Sequence, residues 1–395
     1  MRAALRQSLP WAAPVVAMAV MSVSLSLTIP LFALLLEREG VAGALIGANH
    51  MAAAAAMVIA APILPRILAR IGLVRLMLWS CLVLAVAMLL IPLWPSPWWW
   101  AVLRPVFGFA GTALFFASEF WIVSQAPDRT RGRIIGGYVL ILSASYMLGP
   151  VILNTLGIEG WAIYLVPALI FTVAALPIWL GRGYAPPSQA EEQPRPLELF
   201  GFFRTDPMII WGVVLFGVIE FGAMGLITVW GLRSGFEQQA AVQLAFWLAF
   251  GSLALQLPIG WAAERFDRRK MLTLAALIAT LVPLGILAIG GPVMAAGGVF
   301  LWGGVGVAFY TLALIELGSR YRGLALAKGN AAVVLAYGLG ALLSPPAFGT
   351  AMDLIPPDGL LWLGALAACG YLALCLWRLG ARPRRPLDSP ADMGS

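Results

Sequence analysis

The chain has 395 residues, of which 61% are hydrophobic and only 11% are charged, and its mean hydropathy is +0.91. Soluble domains carry about a quarter charged residues, and a chain of this length cannot hide so much apolar surface in an aqueous fold. The composition therefore excludes a soluble protein and predicts that lipid is the solvent. The net charge of +7 does not indicate a nucleic-acid partner, because the basic residues are spread among short loops.

Twelve continuous apolar runs follow one another along the chain. Each has about 20 residues or more, enough for a tilted helix to cross a hydrocarbon core about 30 Å thick. The runs lack the alternation of barrel strands, so each predicts a helix. The first run continues past a sequence that resembles a signal cleavage site, which favours an uncleaved helix. The predicted spans are 11–36, 42–64, 73–94, 98–123, 133–156, 160–181, 207–232, 238–263, 271–290, 292–317, 324–349 and 358–379.

The basic residues fix the expected orientation of these spans. All but three of the 25 lysines and arginines lie in loops on the side of the N-terminus. The opposite loops hold only Arg38 and Arg233, and Arg104 lies inside a span. By the positive-inside rule, both termini are predicted to be cytoplasmic. We expect a multi-pass protein of a bacterial inner membrane.

A polar, proline-rich segment from Pro186 to Pro196 interrupts the series of spans and is typical of a flexible linker. It divides the chain into two halves of six spans, which predicts a six-helix unit over 1–181, a cytoplasmic linker over 182–206, a second six-helix unit over 207–379 and a tail over 380–395. Weak repeats relate the halves. We therefore predict an all-α integral membrane protein with twelve transmembrane helices in two pseudo-symmetric halves.

The loop between the eighth and ninth spans packs six charges between two apolar runs. Its pattern resembles the loop between the second and third helices of each half in transporters of the major facilitator superfamily. The residues that carry the resemblance, with glutamate in place of the family's first aspartate, are Gly260, Glu264, Arg265, Asp267, Arg268, Arg269 and Lys270. In the equivalent loop of the first half, Ala69 stands where the family has its aspartate.

Two further elements extend this resemblance over nearly the whole chain. Arg104 with Gly108 and Gly111 in the fourth span looks like the family's Arg-x-x-x-Gly-x-Gly element, and the fifth span is similar to the Gly-rich element of proton-driven antiporters. The resemblance implies a carrier that works by alternating access. It also implies helix-packing positions at Gly108, Gly111, Gly136, Gly149 and Pro150.

Titratable residues inside the spans are functional candidates, because a charge in the membrane is costly unless it is paired or hydrated. Glu220 lies near the middle of the seventh span, among Gly217, Gly222 and Gly225. These glycines leave room for water, for a solute or for a closely packed helix. Glu220 is therefore a candidate for binding a proton or the solute. The alternative is a structural carboxyl that is hydrogen-bonded to a neighbouring helix.

Arg104 and His50 are further candidates, each with a structural alternative. The family resemblance implies that Arg104 faces the central cavity and takes part in proton coupling or binds an anionic group. Otherwise it fixes helix packing. His50, the single histidine, follows Asn49 in the second span, and its unperturbed pKa suits a proton relay. A lone histidine on an apolar helix can equally be a hydrogen-bonded packing residue.

Glu119 and Glu316 lie near the cytoplasmic ends of the equivalent fourth and tenth spans. We expect both to act as latches that hold the cytoplasmic side shut in the outward-open state and break as the halves rock. The expected partners are Arg66, Arg70 and Arg75 for Glu119, and Arg265, Arg268 and Arg269 for Glu316.

The sequence has no phosphate-binding Gly-x-x-x-x-Gly-Lys loop and no nucleophile–base–acid set, so we expect neither an ATPase nor another enzyme. The three cysteines lie in apolar runs, and no cofactor or metal is predicted. The favoured function is a secondary active transporter that exports a small amphipathic solute in exchange for protons. Proton-linked uptake of a polar metabolite is the alternative, and a membrane sensor without transport ranks behind both. The expected partners are the solute, protons and lipid, without nucleic acid, and the expected state is a monomer.

Overall fold

A computed structural model shows how these segments are arranged. It describes the backbone of residues 2–125, 140–142, 144–186, 201–321 and 323–380, and the side chains within these ranges except at 2–12, 61, 62, 123 and 323–327. Gly136 and residues 187–200 of the predicted linker lie outside the described residues. No strand occurs in the part of the chain that is described.

Eleven helices within these ranges are long and apolar enough to cross a membrane, and the shorter apolar stretch Leu140–Leu156 makes a twelfth. Lipid offers the backbone no hydrogen-bond partners, so the N–H and C=O groups of each apolar run bond to each other within a helix. In chain order the helices are α1 (Arg2–Arg38), α2 (Gly43–Ile71), α3 (Leu73–Leu90), α4 (Pro97–Gln125), α5 (Leu148–Leu156), α6 (Ala162–Leu180), α7 (Pro207–Arg233), α8 (Gln238–Ala263), α9 (Arg268–Ile289), α10 (Pro292–Arg320), α11 (Gly323–Leu354) and α12 (Gly359–Leu379).

The all-α fold with apolar membrane helices is confirmed, and several helices extend beyond the predicted apolar runs. α2 continues to Ile71 on the predicted cytoplasmic side. α11 continues through Pro345 and Pro346 to Leu354 on the predicted periplasmic side. Hydropathy marks the part of a helix that lies in hydrocarbon, whereas the hydrogen-bonded helix runs on into the headgroup region.

The two halves pack their helices in the same way. In the first half α2 packs on α4 and α3 on α6, and in the second half α8 packs on α10 and α9 on α12. The α2–α4 and α8–α10 contacts both depend on a glycine. A Cβ on Gly108 would lie 2.3 Å from the Ala53 carbonyl oxygen, and a Cβ on Gly303 would lie 2.1 Å from that of Leu248. Small residues allow this close helix approach in membranes.

The halves meet each other through α2 and α11, α1 and α7, and α5 and α8. The tightest approach joins α2 to α11, where a Cβ on Gly47 would lie 2.1 Å from the Pro345 carbonyl oxygen. A Cβ on Gly43 would lie 2.7 Å from that of Gly349. These contacts lie toward the predicted periplasmic side, whereas Glu119 near the other end of α4 is exposed. We infer an inward-open arrangement of the described residues, closed on the predicted periplasmic side.

Candidate functional site

Glu220 lies on a π-helical turn that interrupts α7 at Val218–Ala223. Such turns occur mostly as single insertions and often at functional sites. Glycines on both sides of Glu220 let α11 pack closely. A Cβ on Gly217 would lie 2.5 Å from the Tyr337 carbonyl oxygen, and a Cβ on Gly222 would lie 2.2 Å from the Phe348 ring. The sequence left open whether the glycines make room for water, for a solute or for a closely packed helix. At both Gly217 and Gly222 the structure shows a closely packed helix.

The Glu220 carboxylate accepts a hydrogen bond of 2.7 Å from the Tyr337 hydroxyl of α11. Glu220 remains partly exposed although it lies halfway along a membrane helix. Aromatic rings surround it. The ring of Tyr337 stacks on Phe216 at 5.5 Å, and Phe216 contacts Tyr310 of α10 at 5.3 Å. The site therefore combines a partly exposed glutamate with a wall of aromatic rings.

Arg104 lies in α4 and is only 2% exposed. Its guanidinium group donates one hydrogen bond, of 3.3 Å, to the Thr28 hydroxyl of α1. It lies over the Phe32 ring at 5.0 Å, a favourable cation–π contact. No ion pair found among the described residues includes Arg104 or joins it to Glu220.

A tyrosine that precedes α5 links the two charged positions. Tyr146 is within electrostatic range of both Arg104 and Glu220. On the other side of the site, Tyr310 is within range of both Glu220 and Glu119. The structure therefore arranges tyrosines between the charges of opposite halves.

His50 lies at the contact between the halves, with its ring against Gly225 of α7. Its Nδ1 and Nε2 atoms are each 2.9 Å from a backbone carbonyl oxygen, of Ile46 and Ile29 respectively. A neutral ring donates to only one of these two carbonyls, and donation to both requires the protonated imidazolium, so the contacts fit a packing residue and a proton-binding residue alike. Asn49 is 5% exposed, and neither amide atom of its side chain has a hydrogen-bond partner among the described residues. A role of His50 and Asn49 in coupling stays a prediction.

The glycines of the family-like elements differ in their surroundings. Gly149 packs against α1, where its Cβ would lie 2.2 Å from the Ser26 hydroxyl oxygen, and Pro150 beside it is buried. Gly108 packs against α2, as described above. A Cβ on Gly111, in contrast, would have no atom within 4 Å. The space beside Gly111 is therefore open in this arrangement, and its packing role stays a prediction.

Ionic contacts join the halves on the predicted periplasmic side. Arg233 at the end of α7 donates to Glu37 of α1 at 2.8 Å and to Asp353 of α11 at 3.1 Å. The Asp353 carboxylate also accepts the backbone N–H groups of Gly43 and Ala44, at 2.9 and 2.8 Å. These are free N–H groups of the first turn of α2, and a residue of the opposite half supplies their cap.

The basic loop after α8 shows separate roles for its charges. Asp267 caps α9, because its carboxylate accepts the Lys270 N–H at 3.0 Å. Arg265 lies over the Trp261 ring at 3.8 Å. Arg268 pairs with Glu316 at 3.4 Å. Glu264 and Arg269 are in none of the ion pairs found among the described residues, and a Cβ on Gly260 would have no atom within 4 Å.

Glu316 belongs to a cluster within the second half. Arg320 pairs with Glu316 and, at 2.7 Å, with Asp206. The Tyr321 hydroxyl also donates to Asp206. Burial, together with this hydrogen bond, raises the pKa of Tyr321 to about 12, so the hydroxyl keeps its proton at neutral pH. Of the expected partners of Glu316, Arg268 is found in contact, and the latch role stays a prediction.

Glu119 is not paired as expected. None of the ion pairs found in the described ranges joins it to Arg66, Arg70 or Arg75. Its side chain is exposed and within electrostatic range of Tyr310 in the other half. In this arrangement Glu119 therefore faces the space between the halves. Latching in an outward-open state stays a prediction.

Several of these functional candidates are not evident in the sequence. The tyrosines at 146, 310 and 337 lie in apolar runs, where a tyrosine reads as a packing residue. Asp353 lies just past the predicted end of its span and reads as a loop residue. Intramembrane tyrosines near glutamate could have been noted as candidates, but their partners come from helices far away in sequence.

A cavity of ≈ 310 Å³ between α7 and α12 has different chemistry. Its lining is almost entirely apolar and includes Trp211, which is 46% exposed on the outer surface of the bundle. None of the titratable candidates lines it, and the hydroxyl of its lining residue Tyr371 donates to the Met208 carbonyl oxygen. We therefore place the solute site between the halves and not here.

Two halves of membrane helices with charges held between them define a secondary carrier. The family model of the Major Facilitator Superfamily matches residues 15–327, and the chain belongs to that superfamily. The MFS-type transporter YfkF of Bacillus subtilis (strain 168) is 22% identical over 360 residues, which cover 89% of this chain and 91% of that protein. The chain is thus a multi-pass membrane transporter and not an enzyme.

Solved structures agree on the fold. The nucleoside transporter NupG aligns with a TM-score of 0.77 and 13% identity over 95% of this chain and 100% of that chain. A D-xylose-proton symporter aligns with a TM-score of 0.70 and 12% identity over 95% and 98%. At these identities the likeness shows the twelve-helix fold alone.

Proposed function

We propose that this transporter couples the export of a small amphipathic solute to protons, with Glu220 as the group that binds the proton. The observation that carries the proposal is a partly exposed carboxyl halfway along α7, held by the Tyr337 hydroxyl at 2.7 Å. A carboxyl group at that depth favours its neutral form unless it is paired. No cation is paired with Glu220 among the described residues.

The surroundings of Glu220 support exchange of a proton. Glu220 keeps some exposed surface, and Tyr310 lies within electrostatic range of both Glu220 and the exposed Glu119. Tyr146 lies within electrostatic range of both Glu220 and Arg104, and Arg104 belongs to the first half. A change in the charge of Glu220 is therefore felt in both halves, as coupling requires.

Alternating access is the proposed cycle. The ion pairs of Arg233 with Glu37 and Asp353, together with the cap that Asp353 gives the start of α2, hold the predicted periplasmic side closed. Rocking of the halves would break these contacts and close the other side. The predicted unit boundaries at 181 and 207 allow this motion if residues 182–206 act as a linker.

The aromatic wall of Phe216, Tyr310 and Tyr337 supports an amphipathic solute, since rings offer apolar faces beside a polar group. Uptake of a polar metabolite with protons is the second candidate. It is favoured by the partly exposed carboxyl just as export is, and the direction of proton movement separates the two.

Purified protein in proteoliposomes with a pH dye inside tests the proposal. A panel of aromatic acids, aromatic amines and sugars is added outside, and the sign of the pH change is read. Export by antiport predicts that an entering solute drives protons out and makes the lumen more alkaline. Symport predicts that the lumen becomes more acidic. Net solute uptake without any pH change would refute proton coupling.

The variant Glu220→Gln identifies the proton-binding group. It should keep solute exchange and lose the pH change, because an amide cannot bind the proton. Glu159→Gln is the matched control, since Glu159 is an exposed glutamate paired only with Arg38 at 3.6 Å. Infrared spectra of the same samples should show a protonated-carboxyl band that Glu220→Gln alone removes. A wild-type pH change in Glu220→Gln would overturn the assignment.

A further inference from the structure

The cavity between α7 and α12 is a recess on the outer, lipid-facing surface of the bundle. It measures ≈ 310 Å³ and its wall is almost entirely apolar. Gly370 of α12 belongs to this wall, and a Cβ on it would meet nothing within 4 Å. The volume lies within the range of ligand pockets, about 300–1,000 Å³. An apolar recess of this size, open to the bilayer, accommodates an acyl chain.

A basic side chain lies at the predicted cytoplasmic end of this recess. Arg378 follows the wall residue Leu374 by four positions, so the two share a face of α12. α12 ends at Leu379 and α7 begins at Pro207, which places this end of the recess at the membrane boundary. No ion pair found within the described ranges includes Arg378, and its Nε atom has no hydrogen-bond partner there. The positive charge of Arg378 is therefore not neutralised by the described part of the chain.

Two tryptophans lie at the same end. Trp211 of α7 lines the recess and is 46% exposed, and its ring packs against that of Phe203 at 5.7 Å. Trp377 is exposed, and the Arg378 guanidinium group lies over its ring at 4.8 Å. Exposed indole rings at a membrane boundary lie at the level of the lipid head groups. The surface thus presents an apolar recess and then a cation at head-group level, in the order that a phospholipid requires.

We propose that this recess binds an anionic phospholipid of the cytoplasmic leaflet, with one acyl chain in the recess and the phosphate on Arg378. Basic pockets between membrane helices on the cytoplasmic side bind anionic head groups, and arginine forms charge-assisted hydrogen bonds with phosphate. A zwitterionic lipid fits the recess equally well but has no net charge to balance that of Arg378. This lipid site is separate from the site at Glu220 and does not depend on proton coupling.

A lipid chain in the recess contacts the outer side of the candidate transport site. Val218 lines the recess, and the same residue begins the π-helical turn that carries Glu220. The chain therefore packs against this turn from the lipid side, while the solute site lies between the halves. The recess is a place where the lipid composition of the membrane acts on α7.

Photocrosslinking from the wall of the recess identifies its occupant. The photoreactive residue p-benzoylphenylalanine replaces Trp211, since it keeps an aromatic ring there. The full chain is placed in nanodiscs with equal amounts of palmitoyl-oleoyl phosphatidylglycerol and palmitoyl-oleoyl phosphatidylcholine, which have the same acyl chains. Mass spectrometry should find about fivefold more adduct with the anionic lipid, the preference expected from one arginine. Equal adducts with the two lipids, or an adduct with a second copy of the chain, overturn the proposal.

Two arginine variants locate the group that binds the phosphate. Arg378→Gln should reduce the excess of anionic lipid to less than about twofold. Arg182→Gln is the matched control, because Arg182 also lies over an exposed tryptophan on the predicted cytoplasmic side, Trp179 at 4.2 Å, but outside the recess. A retained fivefold excess in Arg378→Gln overturns the assignment. An equal loss in both variants also overturns it, since the excess then reflects the overall surface charge.

A glycine variant tests the recess itself. Gly370→Leu places a side chain in the recess without a clash at its Cβ, and it should lower the adduct with the anionic lipid several-fold. Gly297→Leu in α10 is the control, because a Cβ on Gly297 also meets nothing within 4 Å but lies outside the recess. An unchanged adduct in Gly370→Leu shows that the acyl chain binds elsewhere and overturns the proposal. The comparison of the two lipids needs neither Arg378→Gln nor Gly370→Leu to fold.

Discussion

Asp353→Ala should open the predicted periplasmic side. The Asp353 carboxylate belongs to α11 in the second half, yet it caps the first turn of α2 in the first half, through the N–H groups of Gly43 and Ala44. It also pairs with Arg233 at 3.1 Å. All contacts with α2 exist only when the halves meet on this side, so alanine weakens the closed arrangement and leaves the open one unchanged.

The size of the effect follows from two contributions. Loss of a helix N-cap costs about 1 kcal/mol. The ion pair with Arg233 adds less than about 1 kcal/mol, because the two side chains are 21% and 30% exposed and solvent weakens their attraction. Together the closed arrangement loses about 1–2 kcal/mol, which shifts the ratio of closed to open molecules by about 5- to 30-fold.

Distances between spin labels on opposite halves measure this ratio. Glu159 and Gln238 are exposed on the predicted periplasmic side, next to the contacting helices α5 and α8, and can carry the labels after substitution by cysteine. Cys369 is exposed and is replaced by alanine beforehand. The longer distance, from open molecules, should gain population in Asp353→Ala.

Asp358→Ala is the matched control. Asp358 is an aspartate of the same region, but it accepts the Trp230 indole N–H at 3.3 Å within the second half. Its removal should leave the distance distribution unchanged. Equal distributions for Asp353→Ala and wild type would falsify the idea that a cap shared between the halves closes this side. Equal opening by both variants would point to net charge instead.

Three further outcomes are expected. Gly217→Ala should lower the free energy of unfolding of the purified protein by about 1–3 kcal/mol, since its Cβ would lie 2.5 Å from the Tyr337 carbonyl oxygen. Gly370→Ala is the control, because its Cβ would meet nothing within 4 Å. Equal melting curves for the two variants would contradict the packing argument. Glu37→Gln should shift the spin-label distances in the same direction as Asp353→Ala but by less, because Arg233 keeps Asp353 as a partner. A shift larger than that of Asp353→Ala would contradict the idea that the cap of α2 by Asp353 is the stronger contact between the halves. Glu316→Gln should bias the labels toward the inward-open arrangement if the latch hypothesis holds, and an unchanged bias would defeat it.

Membrane helices were predictable because lipid allows few alternatives. The run Gln238–Ala263 was predicted with the bounds that the structure shows, since a charged loop follows it and each backbone group inside must be satisfied by the helix itself. The same reasoning cannot find the π-helical turn around Glu220. That turn lies where α11 packs closely through Tyr337 and Gly340, a tertiary contact that leaves no mark on local hydropathy.

Partners of the candidate site residues could not be read from the sequence either. Asp353 lies 310 positions from the N–H group of Gly43 that it caps, and only the fold brings the two together. Arg104 was identified as costly in the membrane, but only the fold shows that it is in none of the ion pairs found among the described residues. Glu119 was assigned to basic residues on its own side of the membrane, whereas the packing turns it toward Tyr310 of the other half.

The charges at the two ends of the bundle have different consequences for motion. On the predicted periplasmic side, Arg233, Glu37 and Asp353 connect the halves to each other. On the predicted cytoplasmic side, the ion pairs found among the described residues join elements of the second half, Glu316 of α10 to Arg268 of α9 and Arg320 of α10 to Asp206 before α7. Rocking of the halves must break the first set and can leave the second intact. Each ion pair between the halves is partly exposed and modest in energy, so a bound proton or solute can supply enough free energy to break these pairs.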